Sequence, residues 1–244
     1  PKSIIQSSAV EKCINTADSI SFNDVSTIDT SIQSRIWTLD PGITNTQKQF
    51  KYKYNSVGAR VVSLRVQNAV NCWDTSYKAI AIHPKPQAIV AQNIKEQCFR
   101  NNLFTFKDSS AIASPYTSNA IWYFGDGDTS ISAFTTHRYL SFDTFKIRLI
   151  AYSNKSCKDT VYQNIIVHPM PSSAFKIDTL KQCLKANQFK FTNLSSIPHG
   201  SMSNTWLFGD AGTSTMLNPT HSYSNFGVYT CSLFVQSNFG CKDS

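Results

Sequence analysis

The stretch Trp122-Tyr123-Phe124-Gly125-Asp126-Gly127 decides the fold, because related stretches occur three times along the chain. A second copy is Trp206-Leu207-Phe208-Gly209-Asp210-Ala211-Gly212, and a more divergent copy is Trp37-Thr38-Leu39-Asp40-Pro41-Gly42. The three tryptophans are 85 and 84 residues apart. Each copy alternates apolar and small residues into a Gly/Asp turn, which is typical of a strand that runs into a tight bend. We therefore interpret the chain as an array of small repeated domains.

The repeat predicts three domains, at residues 1–85, 86–170 and 171–244. Apolar and polar residues alternate with period two in long segments such as 60–66, 145–151 and 228–234, and helical periodicity is not evident. Short strands at regular spacing, separated by turn residues, indicate β-sandwiches. The segments 83–86 and 168–171 each contain two prolines around one spacer residue, which predicts short, stiff joints between domains.

Composition and charge limit the classes of function. The chain has 244 residues, of which 41% are hydrophobic and 16% charged, and this is typical of a globular protein. The longest apolar runs fall well short of 18 residues, so we expect no membrane insertion. The net charge of +8 is spread over all three repeats, which argues against nucleic-acid binding. A weak attraction to acidic polysaccharide or to a cell surface remains open.

Six of the seven cysteines recur with the repeat, one near its start and one near its end. The first set is Cys13, Cys98 and Cys183, and the second set is Cys72, Cys157 and Cys241. We interpret them as one disulfide per repeat, formed in an oxidising compartment: Cys13–Cys72, Cys98–Cys157 and Cys183–Cys241. Free thiols are the alternative. Cys231 stands where the other repeats have Val62 and Ile147, so we expect it to be unpaired and buried in the core.

The repeats resemble PKD domains, the immunoglobulin-like modules named for polycystic kidney disease. The residues that carry the resemblance form a Trp-x-Phe-Gly-Asp-Gly motif and a later His-x-Tyr pair. They are Trp122, Phe124, Gly125, Asp126, Gly127, His137 and Tyr139 in the middle repeat; Trp206, Phe208, Gly209, Asp210, His221 and Tyr223 in the third; and Trp37 and Tyr54 in the first. Ala211 replaces a motif glycine in the third repeat, and the first repeat departs most from the pattern.

The resemblance implies an all-β chain of three tandem immunoglobulin-like, PKD-type β-sandwich domains. The paired cysteines and Pro-x-Pro joints are similar to those of PKD arrays in large secreted proteins of the Bacteroidetes type. Such proteins are often type IX secretion cargo, including surface adhesins. The implied location is extracellular, at the cell surface. The implied partners are other domains of the same long chain, further copies in a homo-oligomer or fibre, and a cell-surface polysaccharide or protein.

The sequence gives little support for catalysis or for a cofactor. No CxxC or HExxH motif is present, and four of the five histidines recur with the repeat, which favours structural roles. Asp126 and Asp128 could act as acid and base or bind calcium, but aspartates in a glycine-rich bend more often hold the turn. The motif tryptophans could form a sugar-binding platform, but we expect them to be core residues. We predict no catalytic residues, no metal and no cofactor.

The sequence therefore predicts a non-enzymatic structural or adhesive segment that acts as a rigid spacer or builds a fibre. The alternative is an accessory module of a secreted hydrolase that contacts polysaccharide or protein, which an exposed row of aromatic residues would favour. The third repeat also has no counterpart of the strand predicted at 162–167. We expect either that the natural protein continues beyond Ser244 or that a strand from a neighbouring chain fills this place.

Overall fold

A computed structural model describes residues 1–14, 18–27, 31–113, 116 and 118–244. Its regular elements within those residues are all strands, and the prediction of an all-β chain of immunoglobulin-like sandwiches is confirmed. None of the described residues forms a helix with the length and apolar character needed to cross a membrane.

The first repeat forms a three-stranded and a five-stranded sheet. The strand orders are β1-β3-β6 and β2-β8-β7-β4-β5, and β2 is parallel to β8. The strands are β1 (Ile5–Ser7), β2 (Glu11–Cys13), β3 (Ile20–Asp24), β4 (Ile32–Asp40), β5 (Ile43–Asn45), β6 (Gln49–Tyr52), β7 (Gly58–Asn68) and β8 (Trp73–His83).

The second repeat has the same two sheets, ordered β14-β11-β9 and β10-β16-β15-β12-β13. Its strands are β9 (Val90–Gln92), β10 (Glu96–Cys98), β11 (Phe104–Asp108), β12 (Ser118–Tyr123), β13 (Thr129–Ser130), β14 (Phe134–His137), β15 (Thr144–Ser153) and β16 (Lys158–His168).

The third repeat forms sheets ordered β17-β18-β21 and β20-β19-β22-β23. Its strands are β17 (Phe175–Ile177), β18 (Phe189–Asn193), β19 (Met202–Leu207), β20 (Thr213–Ser214), β21 (Thr220–His221), β22 (Ser232–Ser237) and β23 (Lys242–Asp243). Whereas β8 and β16 have 11 residues each, β23 has two. Residues 181–183, which correspond to β2 and β10, form no strand.

The core of each repeat is built around its motif tryptophan. Trp37, Trp122 and Trp206 are all fully buried, at the positions where we expected core residues. Each indole N–H donates to a backbone carbonyl ten residues later, on Gln47, Ser132 and Met216, at 3.0–3.1 Å. Because the ring nitrogen is satisfied, the whole indole can be buried without an unpaired polar atom.

The backbone contacts divide the chain into two compact units. One comprises residues 1–90, 108–121 and 149–161, and the other comprises residues 91–107, 122–148 and 162–244. The second repeat contributes to both units. The division into three domains at residues 85 and 170 stays a prediction.

Candidate functional site: the disulfide-linked joints

Two disulfides connect successive repeats. Cys13 bonds to Cys157 and Cys98 to Cys241, with Cα–Cα distances of 5.4 and 5.5 Å. In both, the first cysteine of one repeat is joined to the second cysteine of the next. The predicted pairing within each repeat is therefore wrong. Cys72 and Cys183, which we expected to be paired, are free and exposed.

The geometry of β8 explains why a disulfide within the first repeat does not form. Cys13 lies opposite His83, at the end of β8, whereas Cys72 directly precedes Trp73, at its start. Ten strand residues at about 3.3 Å each separate the two positions by roughly 33 Å. A disulfide needs Cα atoms about 5.5 Å apart, so the two cysteines of this repeat are much too distant.

The Cys13–Cys157 joint is lined by charged side chains. Glu11 Oε2 lies 3.2 Å from His83 Nε2 and 3.7 Å from Lys155 Nζ. Lys85, in the predicted joint segment, pairs with Asp159 at 2.7 Å. Although burial alone would raise the pKa of Asp159, hydrogen bonds from Lys85 and from the Ala88 amide hold this pKa below its usual range. Carboxylates and cations from two successive repeats thus meet beside the disulfide.

The Cys98–Cys241 joint combines aromatic stacking with an ion pair. The Phe239 ring stacks on His168 with centroids 4.2 Å apart, and His168 Nε2 lies 3.0 Å from Glu96 Oε2. Arg100 pairs with Asp243 at 2.8 Å. The Ser173 amide and the Arg100 guanidinium hold the pKa of Asp243 below its usual range.

One aspartate in each repeat has a structural role that the sequence analysis missed. Asp74, Asp159 and Asp243 each follow the second cysteine by two residues. Their carboxylates accept the backbone N–H of Ser3, Ala88 and Ser173, at 2.6, 3.0 and 2.8 Å. They hold the start of each repeat against the turn that carries the cysteine. The fixed spacing from the cysteine could have revealed them.

The Trp-x-Phe-Gly-Asp motif contributes to what we call the Asp–His–Tyr cluster, made of Asp126, His137 and Tyr139 in the second repeat. His137 Nε2 lies 2.6 Å from Asp126 Oδ2, and the imidazole stacks on Phe124 at 4.1 Å. The Tyr139 hydroxyl donates to the Phe124 carbonyl at 2.9 Å, and burial raises the pKa of Tyr139. Gly125 has a φ of +89°, a conformation that L side chains rarely adopt. The motif therefore fixes the bend after β12.

The third repeat repeats this arrangement with Asp210, His221 and Tyr223. His221 Nε2 lies 2.8 Å from Asp210 Oδ2, and the Tyr223 hydroxyl donates to the Phe208 carbonyl at 2.8 Å. Gly209 again has a positive φ, of +85°. The recurrence of these contacts indicates a structural role for both carboxylate–imidazole pairs.

Two buried asparagines that the sequence analysis missed hold the tyrosine of the cluster. Asn102 Oδ1 accepts the Tyr139 N–H at 2.8 Å, and its Nδ2 donates to the Tyr139 carbonyl at 2.9 Å. Asn187 makes the same pair of bonds to Tyr223, at 2.7 and 2.8 Å. Both asparagines follow the first cysteine by four residues, which is the signal that could have identified them.

The first repeat builds a different cluster from Asp40, Tyr52 and Tyr54. Tyr52 replaces the histidine, and its hydroxyl lies 3.3 Å from Asp40 Oδ2. Arg60 pairs with the same carboxylate at 2.7 Å. The Tyr54 hydroxyl is buried and has no hydrogen-bond partner among the described residues.

The described residues hold one group that could bind a metal ion. One ligand atom each from Asp126, Asp128 and His137 lies within 4.8 Å of the others. Asp126 already pairs with His137, and Gly212 stands in place of Asp128 in the third repeat. Calcium takes six to eight oxygen ligands, so these three side chains fit it poorly.

The histidines of the described structure are not arranged with a nucleophile. His83, His137, His168 and His221 each contact a carboxylate. His199 packs against Phe142 and Phe239. In the part of the chain that the structure describes, no histidine is hydrogen-bonded to a serine or cysteine side chain, so a nucleophilic triad is not assembled there.

A groove of about 580 Å³ opens beside the third repeat. Phe189, Tyr223, Tyr229 and Cys231 line its floor, and the exposed Val228 lies at its edge. Cys231 is unpaired but only half-buried, with its sulfur 3.2 Å from the Tyr223 hydroxyl. Our expectation that Cys231 is buried is wrong, because the groove reaches its side chain.

Comparisons with known proteins found one matching family model and several similar solved structures. Residues 171–244 match the family model of the PKD domain. No curated protein matches the chain. Among solved structures, the PKD1 domain of the Vibrio cholerae metalloprotease PrtV is 24% identical, with a TM-score of 0.30 over 34% of this chain and 96% of that one.

Two longer solved structures are also similar to the chain. An I-band fragment of titin is 10% identical and covers 97% of this chain and 87% of its own, with a TM-score of 0.41. A structure from a 1.5-MDa bacterial ice-binding adhesin is 9% identical, and the match covers 100% of this chain and 95% of that one, with a TM-score of 0.36. PKD domains and disulfides are both typical of extracellular proteins.

Proposed function

We propose that the chain is a non-enzymatic, extracellular structural segment that acts as a spacer of a cell-surface protein. The observation that carries this proposal is that both disulfides join successive repeats. A bond inside a domain stabilises that domain, whereas a bond between neighbours restricts their relative motion. Relative motion is the default for domains connected by a short linker, so these bonds oppose it directly.

The residues around the joints support the same conclusion. Lys85 lies between the two prolines of the first joint segment, and its ammonium group pairs with Asp159 of the second repeat. In the other joint, Phe239 of the third repeat stacks on His168 of the second. A proline-rich linker is already stiff, and these contacts tie it to the following repeat. A spacer needs this restriction, because it must hold another part of the protein at a fixed distance.

The alternative, an accessory module that binds polysaccharide or protein for a secreted hydrolase, needs accessible aromatic faces. Two exposed rings and one partly buried ring carry a cation over one face instead. Arg65 lies 4.0 Å from the Trp73 ring centroid, Arg148 lies 4.0 Å from Tyr123, and Lys146 lies 4.7 Å from Tyr162. A sugar would have to displace these cations in order to stack on these three rings.

Small-angle X-ray scattering can test the proposal. The double variant Cys13→Ser/Cys157→Ser removes one joint disulfide, and we expect a broader distribution of intramolecular distances than in the unaltered chain. Cys72→Ser/Cys183→Ser is the matched control, because it also removes two thiols but leaves both joints intact. Identical scattering from all three proteins would contradict the spacer proposal.

A further inference from the structure

Two cations on β15 lie over tyrosine rings of the neighbouring strands. Arg148 lies 4.0 Å from the ring centroid of Tyr123 on β12, and the Lys146 ammonium group lies 4.7 Å from that of Tyr162 on β16. Side chains alternate between the two faces of a strand, so Lys146 and Arg148 lie on the same face. Ile147, which lies between them, is buried, so this is the face away from the core. We call Tyr123, Lys146, Arg148 and Tyr162 the cationic face.

The two cations have no carboxylate partner. The ion pairs of the described residues include neither Lys146 nor Arg148. Strands β12 and β15 contain no aspartate or glutamate. Strand β16 contains only Asp159, which already pairs with Lys85 and accepts the Ala88 N–H. The positive charge of the cationic face is therefore not compensated by its own strands.

The acidic residues that flank these strands are engaged within their own loops. Asp126 pairs with His137, and a carboxylate oxygen of Asp128 lies within 4.8 Å of both ligand atoms. Asp143, which directly precedes β15, accepts the Thr144 N–H through Oδ1 at 2.6 Å. These contacts direct the neighbouring carboxylates to the ends of the sheet and not to the cationic face.

The first repeat contains a similar arrangement. Arg65 on β7 lies 4.0 Å from the ring centroid of Trp73 on β8, and it has no ion pair in the part of the chain that the structure describes. Strand β7 contains no carboxylate, and the one carboxylate of β8, on Asp74, accepts the Ser3 N–H. Strand β22, which corresponds to β15 in the third repeat, contains no cation. Cations that face a ring and lack a carboxylate are thus a feature of the first two repeats.

The rings hold these cations in a defined position. The face of a tyrosine ring attracts a cation, because the ring has its negative charge density there. The ring covers one side of the cation only, so other N–H groups of the guanidinium and the ammonium remain free to donate. A long side chain that is already held loses less conformational entropy when it binds an anion. The cationic face therefore presents two oriented donor groups that lack an acceptor.

We propose that the cationic face of the second repeat binds an acidic polysaccharide, through ion pairs from Lys146 and Arg148 to its carboxylate groups. A neutral sugar would have to displace the cations to reach the rings, whereas an acidic sugar binds the cations where they lie. The net charge of +8 attracts such a polymer from a longer distance. Nucleic acid has a denser line of charge and is bound through more phosphate contacts than two cations supply. The inference does not depend on the spacer function, because these residues belong to neither joint.

Binding to immobilised polygalacturonate, measured by biolayer interferometry, tests this proposal. Lys146→Gln/Arg148→Gln removes both cations, and we expect the affinity to fall by about fivefold or more. Lys176→Gln/Lys190→Gln is the matched control, because it removes the same charge from two exposed lysines on β17 and β18. The control should change the affinity by less than about twofold. Dextran, which is uncharged, should not bind the unaltered chain.

A second double variant tests the contribution of the rings. Tyr123→Leu/Tyr162→Leu keeps both cations but removes the rings that hold them, and we expect the affinity to fall by about two- to threefold. The dependence of the affinity on salt concentration should stay as in the unaltered chain, because the number of charges is the same. Lys146→Gln/Arg148→Gln should instead weaken this dependence. An unchanged affinity after loss of both rings would contradict their role in positioning the cations.

Three outcomes would overturn the proposal. The first is that the unaltered chain does not bind polygalacturonate. The second is an equal loss of affinity in Lys146→Gln/Arg148→Gln and in Lys176→Gln/Lys190→Gln, which would mean that only the net charge matters. The third is tighter binding to single-stranded DNA that depends on the same two cations, which would assign the face to nucleic acid. Each of these results would leave the disulfides, and hence the spacer function, untouched.

Discussion

The first and second repeats stabilise the bend after the motif tryptophan with different chemistry. In the second, Tyr139 donates its hydroxyl hydrogen to the Phe124 carbonyl. In the first, the corresponding Tyr54 is buried, but its hydroxyl has no partner among the described residues. The bend itself also differs, because β4 extends to Asp40 and closes on β5 through Pro41 and Gly42.

The difference shows which part of the motif the fold needs. The aromatic ring at the tyrosine position is buried in both repeats, with Phe145 stacked on Tyr139 at 3.9 Å and Arg60 lying 5.8 Å from the Tyr54 ring. The hydrogen bond is kept only where the Phe-Gly-Asp bend supplies a free carbonyl. We infer that packing is the common requirement and that the polar contacts add to it.

The largest expected effect concerns the buried motif tryptophan, which both repeats have. Trp122→Ala and Trp37→Ala should each destabilise their own repeat by about 3–5 kcal/mol, because a fully buried indole is removed. Hydrogen exchange followed by mass spectrometry can resolve the repeats separately. Trp73→Ala is the control and should cost less than about 1 kcal/mol, since Trp73 is partly exposed. A cost below 1 kcal/mol for Trp37 would show that the divergent repeat has a different core.

The next effect tests the bend. Gly125→Ala should destabilise the second repeat by about 2–3 kcal/mol, because a Cβ there would lie 2.9 Å from the Lys146 carbonyl oxygen at a positive φ. Gly127→Ala should cost about 1 kcal/mol, since a Cβ at Gly127 meets no atom within 4 Å and Ala211 already occupies this place in the third repeat. Urea denaturation of both variants provides the measurement. Equal losses would mean that close packing does not select glycine at 125.

Removing the tyrosine hydroxyl should affect the stability of the two repeats differently. Tyr139→Phe should cost about 1–2 kcal/mol, because the buried Phe124 carbonyl loses its donor. Tyr54→Phe should change the stability by no more than about 0.5 kcal/mol, or increase it, because the hydroxyl has no partner to lose. Repeat-resolved hydrogen exchange again gives both values. A large loss for Tyr54→Phe would show that its hydroxyl is in fact bonded.

The smallest expected effect is a loss of stability at low pH in the third repeat, which has the histidine of the cluster. Burial alone would raise the pKa of Asp210, but hydrogen bonds from His221 and the Gly212 amide lower it overall. This contribution to stability is therefore present above about pH 4 and is lost as the pH falls through the lowered pKa. We expect it to be below about 1 kcal/mol, because the pair is partly exposed.

His221→Phe should raise the pKa of Asp210 back toward its usual range, as measured by carbon NMR of the carboxyl group. Asp178, in the same repeat but away from the cluster, serves as the reference carboxylate. An unchanged Asp210 titration would show that the imidazole contributes nothing to this carboxylate.

Sequence patterns predicted the sheets and the buried tryptophans because both follow from local alternation and from side-chain size. They could not predict the disulfide partners. Cys98 is separated from Cys157 and from Cys241 by distances along the chain that the repeat fixes. The periodicity is therefore compatible with a bond from Cys98 to either cysteine. The partner is decided by strand order: Cys13 lies on β2 beside the end of β8, whereas Cys72 directly precedes the start of β8. The half-exposure of Cys231 likewise depends on the groove that it lines, which local sequence patterns do not describe.

The disulfides enclose overlapping stretches of chain, residues 13–157 and 98–241. If the molecule is pulled at its two ends, tension enters at Cys13, crosses to Cys157, returns along the backbone to Cys98 and crosses to Cys241. Once the repeats are unfolded and extended, residues 98–157 form the shortest of the three backbone segments that connect the two disulfides, about a quarter of the backbone between Cys13 and Cys241. This segment becomes taut first, and it is pulled from its later end to its earlier one. At about 3.5 Å per extended residue, this tether reaches roughly 200 Å, against about 800 Å after reduction. The two longer segments, residues 13–98 and 157–241, remain slack at that extension, so the disulfides set the reach of the unfolded chain.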